Sequence, residues 1–165
     1  MQIIITNFVP NSCTYLFISQ KIIEESKTKN NESIINDNFD KFNNKKNVNV
    51  SFTPHVIPIN RGISSNIYIK LQKGKKIRDI RSVFENNNFT FLKMLKLNQI
   101  PTINDVIGTN YCFFNIFPDR IKGRIIIISV IDNLIKGAAG QAIQNMNLNY
   151  NFKEDEGLDF NPIFP

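Results

Sequence analysis

The spacing of apolar residues from position 48 onward predicts a sheet with interspersed helices. Alternating or continuous apolar positions predict strands at residues 48–54, 66–71, 89–95, 110–117 and 123–130. The unbroken β-branched run at 125–128 indicates a strand buried on both faces. Helical spacing predicts an amphipathic helix of about ten residues from Ile77 and a terminal helix from Gly137 to about Tyr150. Together these elements predict an α+β fold in which helices are layered on a sheet.

The first 47 residues have a different pattern. Residues 1–23 carry short apolar patches interrupted at Pro10, and residues 19–25 predict a helix. Residues 26–47 are rich in Asn and Lys, and such a segment buries too little apolar area to offset the entropy of ordering. We therefore divide the chain into residues 1–25, a polar linker or loop at 26–47, and a folded domain at 48–165.

The segment from Lys136 to Asn147 combines small residues with side-chain amides. Gly is unfavourable inside a helix, so Gly137 and Gly140 at a helix start indicate close approach to another group. The N–H groups of a helix start suit a phosphate, a carboxylate or a cofactor amide. The alternative explanation is a helix that packs tightly on its own sheet.

The net charge of +6 raises the question of a polyanionic partner. The basic residues are scattered along a sequence dominated by Asn, Ile, Lys and Phe, and the densest cluster lies at 73–78. A solvated turn and helix start is the favoured interpretation of that cluster, because charge runs are usually solvated. We therefore expect no nucleic-acid partner, and a basic nucleic-acid binder is kept as a distant third hypothesis.

Residue content also narrows the class of protein. Cys13 and Cys112 are too few for a disulfide framework, His55 is the single histidine, and no zinc-ligand spacing is present. No apolar run reaches the roughly 18 residues of a membrane span, and no basic segment precedes the apolar run at 3–5. The expectations are no metal, no membrane and a cytoplasmic location, with an organelle as the open alternative because no acidic residue precedes Glu24.

Four blocks of sequence carry a resemblance to a known family. They are Val50-Ser-Phe-Thr-Pro-His55 with Asn60-Arg-Gly-Ile63, Gly108-Thr-Asn-Tyr-Cys112, Ile131-Asp-Asn-Leu-Ile-Lys136, and Gly137 to Asn147 followed by Gly157-Leu-Asp-Phe160 and Pro162-Ile-Phe-Pro165. In this order and at about this spacing, they resemble the carboxyl-terminal portion of N-acetyl-gamma-glutamyl-phosphate reductase. The resemblance implies NADPH-dependent reduction of N-acetylglutamyl phosphate to the semialdehyde, a step of arginine biosynthesis.

The same resemblance implies the architecture. It predicts a mixed, largely antiparallel sheet layered with helices, similar to the carboxyl-terminal domain of glyceraldehyde-3-phosphate-dehydrogenase-like reductases. No Gly-x-Gly-x-x-Gly run follows a strand in the first fifty residues, so a complete nucleotide-binding domain is expected to be missing. Residues 1–25 would then be a remnant of the nucleotide-binding and catalytic-cysteine region, and residues 48–165 the substrate and dimerisation domain.

Site residues follow from the resemblance as well. The family's nucleophilic cysteine lies in a Pro-Gly-Cys-Tyr-x-Thr-like turn, and the nearest match is residues 10–15, which makes Cys13 the candidate nucleophile or else an ordinary semi-buried thiol. The family's histidine motif would fall near residues 28–34, which contain no histidine. Cys112 lies within a predicted strand, which favours a structural role.

The resemblance assigns the remaining residues to substrate and cofactor. His55 and Arg61 would lie near the substrate, although a hydrogen-bonding role for His55 and a surface ion pair for Arg61 are alternatives. The resemblance implies that three residues of the terminal helix contact NADP: Gly140, Gln141 and Asn145.

The resemblance is compatible with two functions. The first is the reductase in a truncated or diverged form, acting as a homo-oligomer or with a separately encoded nucleotide-binding half. The second is a non-catalytic oligomerisation or partner-binding remnant of that reductase.

Overall fold

A single six-stranded sheet organises the part of the chain that the structure describes. This computed structural model describes residues 2–9, 49–160 and Pro162. The strands are β1 (Gln2–Val9), β2 (Asn49–Val56), β3 (Ile63–Lys70), β4 (Leu92–Met94), β5 (Cys112–Pro118) and β6 (Arg124–Ile131). Their order across the sheet is β2-β1-β3-β6-β5-β4.

The strand directions are mixed. β1 pairs with β2 in parallel, and β4 pairs with β5 in parallel. The three inner pairings, β1 with β3, β3 with β6 and β5 with β6, are antiparallel. The predicted mixed, largely antiparallel sheet with helices is therefore confirmed.

Helix α1 (Ile77–Glu85) covers part of one sheet face. The backbone N–H of Lys76 donates to Asp79 Oδ2 at 2.8 Å, which satisfies a donor at the helix start. The apolar stripe of the helix packs against a buried cluster from the sheet, formed by Phe114, Ile116 and Ile125. The helix begins at Ile77, as its apolar spacing predicts.

Several predicted boundaries differ from the observed ones. The strand expected at 89–95 is only Leu92–Met94, and β3 begins three residues before the predicted position 66. β1 was not predicted, because its apolar run at 3–5 is short, yet it lies between β2 and β3. Residues 10–48, which include the predicted helix at 19–25 and the linker or loop at 26–47, lie outside the described residues.

The prediction that strand 125–128 is buried on both faces is wrong for one face. Ile125 is buried, whereas Ile126 and Ile128, which point to the opposite side, are only half-buried. β6 lies between β3 and β5, so this partial exposure does not come from an edge position.

The Asn115 side chain bonds β5 to the loop that follows β4. β4 ends opposite Phe114, so β5 continues without a paired strand on that side. The fully buried Asn115 side chain donates from Nδ2 to the carbonyl oxygens of Lys96 at 2.8 Å and Gln99 at 2.7 Å. Its Oδ1 accepts from Arg81 Nη1 of α1 at 2.5 Å. One amide thus joins the sheet, the 96–99 loop and α1.

Among the described residues, no helix has both the length and the apolar character needed to cross a membrane.

Replacing Asn115 with Ala should lower the free energy of unfolding by about 2–4 kcal/mol, because a buried guanidinium and two carbonyl groups would lose their partner. Urea denaturation measures the change. Asn87→Ala, which removes an exposed amide bonded only to the Val83 carbonyl oxygen, is the matched control and should be nearly neutral. Equal small effects in both variants would contradict the proposed role of Asn115.

Candidate functional site

The carboxylate of Asp132, directly after β6, collects four hydrogen-bond donors. Asp132 is fully buried. Its Oδ2 accepts from the backbone N–H of Gly108 at 2.7 Å and from Arg61 Nη2 at 2.5 Å. Its Oδ1 accepts from the backbone N–H groups of Leu134 at 2.7 Å and Ile135 at 3.0 Å. One side chain thus joins the segments that precede β3, β5 and the terminal helix.

Asn133 holds the loop before β3 beside this carboxylate. Its Oδ1 accepts from the backbone N–H of Gly62 at 2.8 Å. Gly62 has a φ of +101°, and a Cβ there would lie 2.0 Å from Ile103 Cγ2. Only glycine fits this position, which explains why Gly follows Arg61 in the sequence.

The ionisation of Asp132 follows from these contacts. Burial raises the pKa of a carboxyl group, but here the donors from Gly108, Arg61, Leu134 and Ile135 outweigh burial and lower the pKa of Asp132 below its ordinary value. Asp132 is therefore a buried carboxylate that stabilises a guanidinium. The Arg61 side chain, 21% exposed, forms an ion pair with Asp132, and its role towards substrate stays a prediction.

The terminal helical segment begins at Ile135, two residues before the predicted Gly137. A π-helical turn, Ile135–Ala139, precedes helix α2 (Gly140–Asn149). The N–H of Gly137 donates to the Asp132 carbonyl oxygen at 2.8 Å, and the N–H of Ala139 donates to that of Leu134 at 3.1 Å. The expectation that a helix start at Gly137 offers free N–H groups to a ligand is therefore wrong for these two residues.

Gly140 faces the interior of the protein. A Cβ at this position would lie 2.4 Å from Asn110 Oδ1 and 2.7 Å from Ile135 Cγ2. The small residue therefore permits close approach of the helix to the loop before β5 and to Ile135. The predicted contact between Gly140 and NADP stays a prediction.

Gln141 and Asn145 lie on the outer side of α2 and bond to each other. Gln141 Nε2 donates to Asn145 Oδ1 at 2.9 Å. This bond occupies one donor and one acceptor, and Gln141 Oε1 and Asn145 Nδ2 are the other hydrogen-bonding atoms of the pair. The pair therefore has one further amide oxygen acceptor and one further amide nitrogen donor.

A second polar network fixes the inner side of α2. The buried Gln144 accepts at Oε1 from Lys136 Nζ at 2.5 Å and from Asn110 Nδ2 at 3.1 Å. Its Nε2 donates to Glu154 Oε1 at 2.7 Å, and Glu154 Oε2 accepts from Thr90 Oγ1 at 2.5 Å. Sequence reasoning missed this network, because Gln144 lies three residues after Gln141 and one before Asn145, and helical spacing alone does not show that Gln144 is buried while those amides are exposed.

Cys112 is not suited to nucleophilic chemistry. It is 1% exposed in β5, and burial raises the pKa of its thiol to about 12 despite the opposing charge of Lys136. Burial also lowers the pKa of Lys136, whose ammonium lies 5.6 Å from the centroid of the Phe91 ring. These findings agree with the structural role predicted for Cys112.

The two remaining predicted site residues are His55 and Cys13. His55 has an exposed side chain and lies one residue before the end of β2, where its Cα partner is Phe8. Cys13 lies outside the described residues. Within the described ranges, no group of His, Cys, Asp and Glu side chains could hold a metal ion.

Comparison with known families identifies the chain. The model of the family described as semialdehyde dehydrogenase, dimerisation domain, matches residues 31–133, which is more than half of the sequence. This chain belongs to that family. Five of the six strands, β2 to β6, lie within the matched residues, as do Arg61, Asp132 and Asn133, whereas β1 precedes them.

Curated relatives have a more specific name. A probable chloroplastic N-acetyl-gamma-glutamyl-phosphate reductase of Arabidopsis thaliana is 46% identical over 120 residues, which are 72% of this chain and 30% of the plant protein. The N-acetyl-gamma-glutamyl-phosphate reductase of Brachyspira hyodysenteriae is 39% identical over 153 residues, 91% of this chain and 42% of the relative. The predicted resemblance is confirmed, and the chain spans less than half the length of these relatives.

Solved structures agree on the fold. Aspartate semialdehyde dehydrogenase II of Vibrio cholerae superposes with a TM-score of 0.67 at 14% identity, covering 91% of this chain and 55% of that one. A probable aspartate-semialdehyde dehydrogenase of Pseudomonas aeruginosa gives 0.65 at 11% identity, covering 92% and 56%. At this identity the likeness shows the fold alone.

Replacing Asp132 with Asn should lower the free energy of unfolding by about 3–5 kcal/mol near neutral pH, because Arg61 loses its buried counter-charge. The folded-state pKa of Asp132 is lowered, so its contribution is present above the unfolded pKa of about 3.9 and is lost as pH falls through the folded value. The difference between wild type and variant should therefore shrink in strongly acidic buffer.

Urea denaturation over a descending pH series measures this difference. Asp159→Asn, at an exposed position, is the control and should change stability by less than about 0.5 kcal/mol. A difference that stays constant down to acidic pH would show that the Asp132 charge is not responsible.

Proposed function

We propose that this chain supplies the carboxyl-terminal part of an N-acetyl-gamma-glutamyl-phosphate reductase, which reduces N-acetylglutamyl phosphate to the semialdehyde with NADPH. The names of the curated relatives at 39–46% identity support the proposal. The observation that carries it is the outward-facing amide pair of Gln141 and Asn145 at the start of α2.

The amide pair fits a nicotinamide cofactor. A primary carboxamide has one N–H₂ donor and one carbonyl acceptor, and Gln141 Oε1 with Asn145 Nδ2 offers the complementary acceptor and donor. These two side chains would hold the carboxamide, and the bound cofactor would supply the hydride. Gln144 fixes the rotation of α2 through its buried bonds, so the two amides are held on the outer side of the helix.

Arg61 is the proposed substrate-binding cation. A guanidinium suits both the carboxylate and the phosphate of an acyl phosphate substrate. Asp132 fixes its Nη2, so the group is pre-oriented rather than freely rotating. His55 is proposed to lie near the substrate as well. It is in β2, which is two positions from β3 in the sheet, and Arg61 lies just before β3.

The covalent chemistry has to come from residues outside the described ranges. Cys13 is the proposed nucleophile, since burial keeps the Cys112 thiol protonated near neutral pH. We propose the division that the sequence predicts: a remnant of the nucleotide-binding and catalytic-cysteine region at 1–25, whose β1 is a strand of the sheet, a linker or loop at 26–47 and the reductase domain at 48–165. The compartment, cytoplasm or organelle, also stays a prediction.

Assembly into a homodimer is part of the proposal, with one sheet face as the interface. Tyr68, Ile126 and Phe117 are opposite each other on neighbouring strands, and Ile128 lies on the same face. All four are only partly buried although β3, β6 and β5 occupy the middle of the sheet. A second copy of the chain would bury these apolar side chains.

The cofactor contact can be tested on the 165-residue chain. Adding NADP should shift the side-chain amide signals of Gln141 and Asn145 in nitrogen-15 NMR spectra. Gln141→Ala should raise the Kd for NADP about five- to tenfold, because one hydrogen bond of about 1 kcal/mol is lost. Gln72→Ala, an exposed amide at the opposite end of the sheet, is the control and should leave the Kd unchanged.

Turnover separates the reductase from the non-catalytic alternative. Formation of NADPH from N-acetylglutamate semialdehyde, phosphate and NADP, abolished by Cys13→Ser, would support a working reductase. A folded chain that neither binds NADP nor turns over substrate would instead support the oligomerisation or partner-binding remnant, which the absence of a suitable thiol among the described residues favours.

The dimer predicts a specific effect of charge on the sheet face. Ile128→Lys should give a monomer at concentrations where the wild type is dimeric, because an ammonium group would be buried at the interface. Sedimentation equilibrium measures the two states. Leu97→Lys places the same group on an exposed loop position and should not alter assembly. A monomeric wild type, or equal dissociation of both variants, would refute this interface.

A further inference from the structure

One end of the sheet concentrates the positive charge of the protein. We define the basic end as residues 70–79 and 118–124, which form the turn from β3 into α1 and the hairpin between β5 and β6. The two segments meet where Lys70 pairs with Arg124 and where the N–H of Leu71 donates to the Gly123 carbonyl oxygen at 2.8 Å. Residues that are distant in sequence therefore form one surface.

The net charge of this surface equals the net charge of the whole chain. It contains eight Lys and Arg residues and two Asp residues, and the rest of the sequence has twelve basic and twelve acidic side chains. The basic end therefore carries a net charge of +6, and the charges of the rest of the sequence sum to zero.

The two carboxylates of the basic end are already engaged. Asp119 pairs with Arg124, and Asp79 accepts from the Lys76 backbone and lies 3.9 Å from Arg78 Nε. In the described part of the chain, six exposed cations of this surface have no carboxylate within ion-pair distance: Lys70, Lys73, Lys75, Lys76, Arg120 and Lys122. Such a group of unpaired cations attracts polyanions.

The position of the basic end separates it from the proposed reductase site. Arg61 and Asp132 lie beyond the Ile63 end of β3, whereas Lys70 ends that strand. An eight-residue strand spans roughly 25 Å, so the two surfaces are at opposite ends of the sheet. The basic end is therefore not part of the proposed reductase site, and its charge needs a separate explanation.

We propose that the basic end is a docking surface for the phosphate backbone of nucleic acid. Backbone binding requires exposed Lys and Arg side chains and no apolar anchor, which is what this surface offers. An acidic protein partner would need buried aromatic or apolar anchors at the centre of the interface. A membrane surface would need more inserted apolar area than Ile121, which is the large exposed apolar side chain of this surface.

The test is the affinity of the full chain for a short fluorescein-labelled DNA duplex, measured by anisotropy over roughly 50 to 200 mM salt. With about five phosphate contacts, the plot of log K against log salt should have a slope of about −4 to −5. Lys73→Gln/Lys122→Gln removes one cation from each segment and should weaken binding roughly tenfold and reduce the slope by about 2.

The control removes the same charge elsewhere. Lys96→Gln/Lys153→Gln lowers the net charge equally at exposed positions outside the basic end and should weaken binding less than about twofold. Thermal unfolding verifies that each variant folds, and Lys75→Gln/Arg120→Gln replaces the first pair if it does not.

Three results would overturn the proposal. They are absence of duplex binding at low salt, equal weakening by both double variants, and tighter binding to phosphatidylserine vesicles or polyglutamate than to the duplex. The last would assign the surface to a membrane or to an acidic protein. None of these readouts depends on NADP or turnover, so the reductase proposal is tested separately.

Discussion

The buried carboxylate of Asp132 is the interaction on which the rest of this end of the structure depends. It receives two donors from the start of the terminal helical segment, one from the loop before β5 and one from Arg61 before β3. A buried carboxylate without partners would be strongly unfavourable, so all three segments are fixed by the requirement to satisfy one charge. The hub positions Arg61 and the beginning of α2 together, and these are the two elements that the proposed reductase site uses.

The inner network of Gln144 serves the same purpose for the rotation of α2. Its amide oxygen accepts from Lys136 and Asn110 while its amide nitrogen donates to Glu154. Each of these groups is at least partly buried, and rotation of the helix would break several bonds at once. The orientation of Gln141 and Asn145 towards solvent is therefore a consequence of the buried Gln144, which lies three residues after Gln141 and one before Asn145.

The sequence predicts the main elements well, and it fails where a residue's environment depends on distant parts of the chain. Local apolar spacing locates α1 at Ile77 and β6 near residue 124, because those patterns reflect one packed face. The role of Asp132 could not be derived locally, since two of its donors, Gly108 and Arg61, come from loops that are distant in sequence. Resemblance singled out Arg61 and Gln141 but not the buried partners that hold them, because a buried Asp or Gln looks like any polar residue in a linear pattern.

The half-buried apolar side chains of the central strands and the clustering of charge have a common physical origin. In a sheet, alternate residues of each strand face opposite sides, so Ile125 can fill the core under α1 while Ile126 and Ile128 remain available for a second surface. The strand ends behave differently, because the charged side chains of the turns project into solvent while Leu71 and Ile77 of the same segment pack against the core cluster. Charge can therefore accumulate at the 70–79 and 118–124 turns without destabilising the core, whereas the same cations on the sheet face would prevent its burial by another copy. The division of apolar and charged residues between face and end lets one small sheet carry both the proposed dimer surface and the proposed nucleic-acid surface.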